Sequence, residues 1–170
     1  MLTTWIAAIL RRDLGALRRE IEAYADERDI WRVAPGISNC AGTLALHLAG
    51  NIQCFVGAVL GGTGYVRDRD AEFARRDVPR AELLREIDAA IAAVERGMAR
   101  LAEAGLKEPY PQPPAGFAVT TGDFLLHVVA HLTYHLGQVD YHRRLLTGQA
   151  GQIRAVSLGE IATAVPAARR

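Results

Sequence analysis

Cysteine is scarce in this 170-residue chain, which has only Cys40 and Cys54. Thirteen residues separate them, which is not a metal-ligand spacing, and no histidine pattern accompanies them. Disulfide-stapled scaffolds and cysteine-based zinc sites are therefore poor interpretations. We expect both cysteines to be free, buried thiols.

An excess of charge of either sign is also absent. Lys and Arg together number 20 against 19 Asp and Glu, which gives a formal net charge of +1. A nucleic-acid-binding domain usually carries a basic patch that neutralises phosphates. We therefore expect no nucleic-acid partner.

The sequence has neither the pattern of an N-terminal signal peptide nor that of a transmembrane helix. The N-terminus is apolar at residues 5–10 and then basic at Arg11 and Arg12, whereas a signal peptide has the reverse order. We find no window of roughly 18 uncharged apolar residues, the length of a transmembrane helix. The sequence thus predicts a cytoplasmic protein with no membrane partner.

Strand-like alternation of apolar and polar residues is absent too, although half of the residues are hydrophobic. Four long segments carry helical patterns instead. They span about residues 3–27, 38–60, 80–103 and 120–148. The first and third have an apolar stripe, the second is apolar nearly all round, and the fourth carries histidines. We predict an all-α protein with a four-helix bundle at 1–148 and a tail at 149–170.

Local signals predict where these helices begin and end. The candidate N-caps are Thr3 or Thr4, Ser38 or Asn39, and Thr120 or Thr121, with Asp123 completing a capping box. The candidate stops are Gly61, Gly105 and Gly148. Residues 61–79 read as a long crossover and the proline-rich residues 106–119 as an extended loop. In the tail we expect one short helix near residues 158–164.

Four of the five histidines lie on one face of the fourth predicted helix. Because each helical residue advances about 100°, His127, His131, His135 and His142 fall within about 80° of one another. His47 lies on the most apolar helix. Neutral imidazoles in a bundle interior need partners for every ring nitrogen, and one metal ion satisfies several rings at once. Three such ligands with an open position are typical of a catalytic metal site.

A simpler interpretation is that the histidines are hydrogen-bonded core residues. Spacing alone does not decide which pair in the ladder His127, His131 and His135 binds a metal. Neither HExxH nor the Glu-x-x-His pairs of di-iron bundles occur. Asp140 points about 140° away from the histidine face, which predicts a surface charge.

Two stretches resemble the DinB/YfiT superfamily of metal-dependent bundles. They are Ser38-Asn39 with Leu46-His47-Leu48-Ala49-Gly50-Asn51, and His131-Leu-Thr-Tyr134-His135-Leu-Gly137-Gln138. The segment 67–73 is also similar to a bacterial branch of it. The resemblance covers about residues 1–148.

The resemblance implies that His47, His131 and His135 bind the metal. It also implies an up-down-down-up bundle with a long crossover after the second helix, and a homodimer. The residues that could orient these ligands are Asn51, His127, Tyr134 and Gln138. His127 and His142 depart from the family pattern. We interpret His142 as a satisfied core residue and leave the role of His127 open.

Relatives in the superfamily include thiol-dependent S-transferases. The first hypothesis is therefore an enzyme in which a divalent ion (zinc, nickel, manganese or iron) activates a low-molecular-weight thiol against a small electrophile. Arg67 or Arg69 could bind a carboxylate on either substrate. The alternatives are a non-catalytic metal-binding bundle, such as a stress-related or dimeric scaffold, and a metal-free relative.

Overall fold

A computed structural model describes residues 1–151 and 153–167 and shows an all-helical protein. Its helices are α1 (Leu2–Glu22), α2 (Ala41–Ile52) with a π-helical continuation (Gln53–Leu60), α3 (Arg69–Ala74), α4 (Arg80–Arg100) and α5 (Thr121–Thr147). Within the described ranges the only β-type pairing is an isolated bridge between Pro109 and Thr120. The predicted all-α class is confirmed.

Helix α1 packs between α4 and α5. Arg18 Nε donates to Asp88 Oδ1 at 3.0 Å, and Arg80 donates to the carbonyl of Tyr24 at 2.6 Å, so the end of α1 meets the start of α4. The two helices are therefore antiparallel. Towards α5 the order is reversed: Asp13 meets Thr133, and Glu20 pairs with Arg143. Helices α1 and α5 are parallel.

Helix α2 occupies the opposite corner, also between α4 and α5. Gln53 hydrogen-bonds Glu86, and Arg100 donates to the carbonyl of Gly61, so α2 and α4 run in parallel. His47 faces α5 at His131, and Phe55 faces it at Phe124, so α2 and α5 are antiparallel. With α1 taken as up, the order is up-down-down-up, as expected. The parallel pair α2 and α4 is what requires the long crossover between them.

The core between the helices is built from the predicted apolar positions. Leu10, Leu14, Leu17 and Ile21 of α1 have no exposed surface, and they follow one another at steps of three and four residues. All but one residue of α2 is buried. The all-round apolar pattern of this segment is therefore explained by its place in the interior.

The burial of α2 also corrects one expectation about membranes. The helix Ala41–Leu60 is long and apolar enough to cross a bilayer by length and composition, with a mean hydropathy of 1.5. The expectation that no such window exists was wrong. In the bundle, however, 67% of that window is buried against other helices. A core helix passes the same compositional test as a membrane span.

Several predicted helix ends were wrong because tertiary contacts replace local caps. Helix α1 begins after Met1, not at Thr3 or Thr4, and the carboxylate of Glu103 accepts from the backbone N–H of Leu2 at 2.7 Å. Glu103 follows α4, so one helix end caps another. Correspondingly, α4 ends at Arg100 rather than at Gly105.

The second predicted N-cap was also wrong, because α2 begins after Cys40 and not at Ser38 or Asn39. By contrast, Thr120 Oγ1 accepts from the backbone N–H of Asp123 at 3.2 Å, so the predicted cap of α5 is confirmed. Gly148 ends that helix with φ 68°, a left-handed conformation that glycine adopts without strain.

Short helical segments occur in several stretches that were predicted to be irregular or to form a longer helix, including a 3₁₀ turn at Pro114–Gly116 in the proline-rich loop. A 3₁₀ turn at Glu27–Trp31 lies in the first loop, and α3 lies within the crossover. Asp68 caps α3 by accepting from the backbone N–H of Ala71. In the tail, a 3₁₀ turn at Leu158–Glu160 replaces the helix expected at 158–164.

Candidate metal centre

Three histidines from two helices meet at one point of the bundle. His131 and His135 lie one turn apart on α5, and the antiparallel α2 brings His47 opposite them. One ring nitrogen from each of the three lies within 4.8 Å of the other two. His47 Nε2 lies 3.2 Å from His131 Nε2. The structure thus brings together the three residues that the resemblance implied.

The distance between the nitrogens of His47 and His131 fits two ligands of one divalent ion. Metal–imidazole bonds of about 2.1 Å at tetrahedral or octahedral angles separate neighbouring nitrogens by roughly 2.9–3.4 Å. The observed 3.2 Å between His47 Nε2 and His131 Nε2 falls in that range. Two imidazole lone pairs at this distance repel unless a proton or a cation lies between them. The donor set is therefore chemically suited to a metal.

The orientation of His47 is set by Glu72 of α3. The Nδ1 of His47 lies 3.0 Å from Glu72 Oε2. Arg67 Nη2 also lies 3.3 Å from this nitrogen, but the carboxylate is nearer and only accepts. Nδ1 therefore carries the proton, and Nε2 keeps its lone pair towards His131. A carboxylate that fixes the tautomer of a ligating histidine also raises its basicity as a metal ligand.

Glu72 is itself held in place by Arg67. The guanidinium makes two bonds to the carboxylate, Nε to Oε1 at 2.7 Å and Nη2 to Oε2 at 2.8 Å. Burial alone would raise the pKa of Glu72, but the hydrogen bonds from Arg67 and His47 outweigh it and lower the pKa. The carboxylate is therefore ionised at neutral pH.

Gly50 leaves the space that Glu72 occupies. A Cβ built on Gly50 would lie 2.2 Å from Glu72 Oε1 and 2.9 Å from its Cδ. Any side chain at this position of α2 would displace the carboxylate. A glycine at position 50, within the stretch Leu48-Ala49-Gly50-Asn51, is thus needed for the contact between His47 and Glu72.

His135 is oriented from within α5. Its Nδ1 lies 2.6 Å from Gln138 Oε1, which leaves Nε2 free. Burial lowers the pKa of His135 below its ordinary value. Burial, together with the neighbouring His135 and His47, lowers the pKa of His131 to about 4. Both imidazoles are neutral at pH 7, the form in which histidine binds metals.

The other residues expected to orient the ligands make no hydrogen bond to the three histidines. Tyr134 is 65% exposed and only its ring approaches His135, with centroids 5.2 Å apart. Asn51 Oδ1 is buried and has no hydrogen-bond partner within residues 1–151 and 153–167. His127 is exposed and lies nearly parallel to the ring of His131, at 6.2 Å. Of the four residues expected to orient the ligands, only Gln138 forms a hydrogen bond with a ring nitrogen of His47, His131 or His135.

His142 belongs to a separate hydrogen-bond network. Its Nδ1 lies 2.6 Å from the hydroxyl of Tyr24, and its Nε2 lies 2.8 Å from the carbonyl of Arg32. Both ring nitrogens have partners in the core, as the interpretation of His142 required. The histidine face is therefore not uniform: His142 is buried, whereas His127 is exposed.

Two further expectations about single residues can be compared with the structure. Cys40 is buried, Cys54 is partly buried, and both are free thiols. Asp140 is only 22% exposed and forms ion pairs with Arg143 and Arg144. It is not an isolated surface charge, because the C-terminal part of α5 packs under the tail.

Glu72 contacts His47 and was not predicted as a site residue from the sequence. It lies 25 residues from His47, in a segment interpreted as a charged crossover. The sequence did contain one local indication, because Asp68 is a residue type that caps helices. It caps α3, and this six-residue helix brings Glu72 back onto α2. Arg67 was considered as a substrate-binding group, whereas in the structure it pairs with Glu72.

Comparison with known proteins supports the assignment suggested by these residues. No individual curated protein matches the sequence significantly. A family model described as mycothiol-S-transferase matches residues 6–148, which are most of the chain. That family is part of the DinB/YfiT-like metal-dependent superfamily, so the resemblance is confirmed. The chain belongs to the mycothiol-S-transferase family.

Proposed function

We propose that this protein is a metal-dependent S-transferase that joins a low-molecular-weight thiol to a small electrophile. The observation that carries the proposal is the meeting of three imidazoles beside a cavity that reaches His131. The family description adds the class of thiol, and we take mycothiol as the first candidate.

His47, His131 and His135 would hold the divalent ion. Three histidine ligands leave coordination positions open, as in catalytic rather than structural sites. When bound, such an ion supplies Lewis acidity that lowers the pKa of a coordinated thiol towards neutrality. Imidazole accepts zinc, nickel, manganese and iron, so the donor set supports each of these metals.

The surrounding residues prepare the ligands. Glu72 and Gln138 hold the protons on the outward nitrogens of His47 and His135, so the inward nitrogens keep their lone pairs. Phe73 packs against the ring of His47 with centroids 4.9 Å apart. These contacts fix two rings before any ligand arrives, which reduces the cost of ordering them on binding.

Metal content tests the first half of the proposal. Protein purified without a metal-affinity tag should contain close to one divalent ion per chain by elemental analysis. His135→Ala should lose most of that metal, whereas His127→Ala is the matched control and should retain it. If the wild-type protein has no stoichiometric metal and binds none by calorimetry, both the enzyme and the metal-binding scaffold are refuted.

A thiol screen tests the second half. Mycothiol and other small thiols are offered with 1-chloro-2,4-dinitrobenzene, and absorbance reports the thioether. We expect turnover that His135→Ala abolishes and His127→Ala retains at least in part. Metal binding without turnover by any thiol would favour the alternative, a non-catalytic metal-binding bundle.

Three broader expectations remain proposals. A homodimer is supported by large exposed side chains on one face of α5, where Tyr134, Tyr141 and Leu145 are 65%, 74% and 69% exposed. Light scattering tests it directly. The cytoplasmic location and the division into a bundle at 1–148 and a tail at 149–170 likewise rest on the sequence arguments.

A further inference from the structure

A cavity of about 360 Å³ opens beside the metal centre, between α2, α5 and the proline-rich loop. Its wall includes His131, so a molecule in this cavity would lie next to the proposed ion. The volume falls within the range of about 300–1,000 Å³ that is typical of small-molecule sites.

One side of the cavity is aromatic. Phe55 and Phe124 both line it and pack edge to face, with ring centroids 5.1 Å apart. The ring of His127, also on the wall, lies nearly parallel to Phe124 at 6.0 Å. Faces and edges of this kind favour planar conjugated molecules over flexible aliphatic ones.

The cavity has a cationic rim. Arg67 and Arg69 line it, and no Asp or Glu does. Arg67 is committed to Glu72 by two hydrogen bonds. Arg69 is exposed, stacks over Phe73 at 4.9 Å, and has no carboxylate within ion-pair distance in the part of the chain that the structure describes. Its guanidinium is thus available for an anion.

Asn51 adds a neutral polar group to the same wall. Its Oδ1 is buried and has no hydrogen-bond partner among the residues that the structure describes. A buried acceptor left unpaired is costly, and a ligand with a hydrogen-bond donor would satisfy it. The cavity therefore offers an aromatic surface, an acceptor and a free guanidinium within reach of His131.

A second cavity near the metal centre differs in chemistry. It measures about 400 Å³ and is lined by uncharged residues together with His142, among them Ile37, Tyr141 and Leu145. It meets the site only through Gln138, which bonds the outward side of His135. An anionic conjugated molecule is matched by the first cavity and not by this one.

We infer that the cavity at His131 is the electrophile subsite and that it selects planar conjugated electrophiles carrying an anionic group, which Arg69 binds. The inference rests on the proposed S-transferase function for its reaction. With an aryl halide, the thiolate sulfur forms the S–C bond and the halide leaves with the electron pair of the C–halogen bond. The thiol proton passes to solvent, so the products are a thioether, a halide ion and a proton.

Binding without chemistry provides the first test. Calorimetry compares 3,5-dinitrobenzoate with the neutral 1,3-dinitrobenzene on the intact protein, with no thiol present. We expect the carboxylate to bind about 3- to 10-fold more tightly, as one guanidinium–carboxylate contact at a partly exposed site allows. Arg69→Gln should remove this preference. Arg85→Gln, an equal change of charge at an exposed position of α4, should retain it.

The outcomes separate this inference from the proposed function, because binding requires neither metal nor turnover. Equal affinities in the wild type, or a preference unchanged in Arg69→Gln, would overturn the inference. The competing interpretation is that Arg69 binds an anionic group of the thiol substrate rather than of the electrophile. If Arg69→Gln weakens N-acetylcysteine and leaves dinitrobenzoate binding intact, the cavity is a thiol subsite and the inference is wrong.

A kinetic arm applies once a thiol supports turnover. The kcat/KM for 4-chloro-3,5-dinitrobenzoate is compared with that for 1-chloro-2,4-dinitrobenzene. We expect Arg69→Gln to lower kcat/KM for the chlorodinitrobenzoate by about 3- to 10-fold, through a higher KM. The kcat/KM for the neutral chlorodinitrobenzene should remain nearly unchanged. An equal loss for both substrates would contradict a role in recognising the anion.

Discussion

A single methyl group at Gly50 should disconnect His47 from Glu72. In Gly50→Ala the new Cβ would lie 2.2 Å from Glu72 Oε1, so the carboxylate must retreat by about 1 Å to reach ordinary contact. The distance from Glu72 Oε2 to His47 Nδ1, now 3.0 Å, would then open beyond hydrogen-bond range. The proton on Nδ1 would no longer be fixed.

The size of the effect follows from this lost contact. Removing the group that orients a metal-binding histidine typically costs about 10- to 100-fold in metal affinity. Losing a charge-assisted hydrogen bond lowers the free energy of unfolding by about 1.5–3 kcal/mol. Replacing a helical glycine with alanine raises it by about 0.5–1 kcal/mol. The metal-free variant should therefore lose about 0.5–2.5 kcal/mol, a fall of roughly 1–10 °C in Tm.

Chelator competition for zinc or nickel measures the affinity, and thermal unfolding measures the stability. The matched control is Gly15→Ala in α1, where the added Cβ meets only Arg19 Nη1 at 3.5 Å. It should be neutral or stabilising and should leave metal affinity unchanged. If Gly50→Ala binds metal within twofold of the wild type, Glu72 does not orient the ligand and the reasoning is refuted.

Three further predictions concern stability. Tyr24→Phe leaves Nδ1 of the buried His142 without its partner and should cost about 1–3 kcal/mol in urea unfolding, with metal affinity unaffected. Burial raises the pKa of Glu20 to about 7 from 4.5, so its contribution to stability is complete below pH 4.5 and is lost as pH rises towards 7. Glu20→Gln should flatten the pH dependence of unfolding in that window; an unchanged profile would contradict the shift. Gly97→Ala places a Cβ 2.3 Å from the carbonyl oxygen of Val56 and should cost about 1–3 kcal/mol by overpacking, which equal melting temperatures would disprove.

The fold was largely predictable because its signals are periodic. The apolar steps of three and four residues along α1 survive as fully buried positions such as Leu14 and Leu17. The helix ends were less predictable where the caps are not local. Thr120 caps α5 through its own neighbour, whereas α1 relies on Glu103, a residue about 100 positions away. No window of sequence contains that information.

In the candidate site, too, some residue positions follow from local helix geometry and others do not. His131 and His135 lie one turn apart, so helical geometry alone places them together. His127 shares that spacing and yet lies exposed on the wall of a cavity. The resemblance to a known family selected the pair that the structure brings close to His47, and spacing by itself did not.

The sequence by itself determined the helical class, the length of the crossover and the ladder of imidazoles, because these depend on residues a few positions apart. Only the tertiary structure decided that α3 returns Glu72 to His47 and that Arg67 pairs with Glu72. It also decided that Arg69 lies at the cavity with no ion pair in the described part of the chain. Each of these contacts joins separate helices or loops. Their formation depends on how the bundle packs and on the space at Gly50, neither of which a linear pattern records.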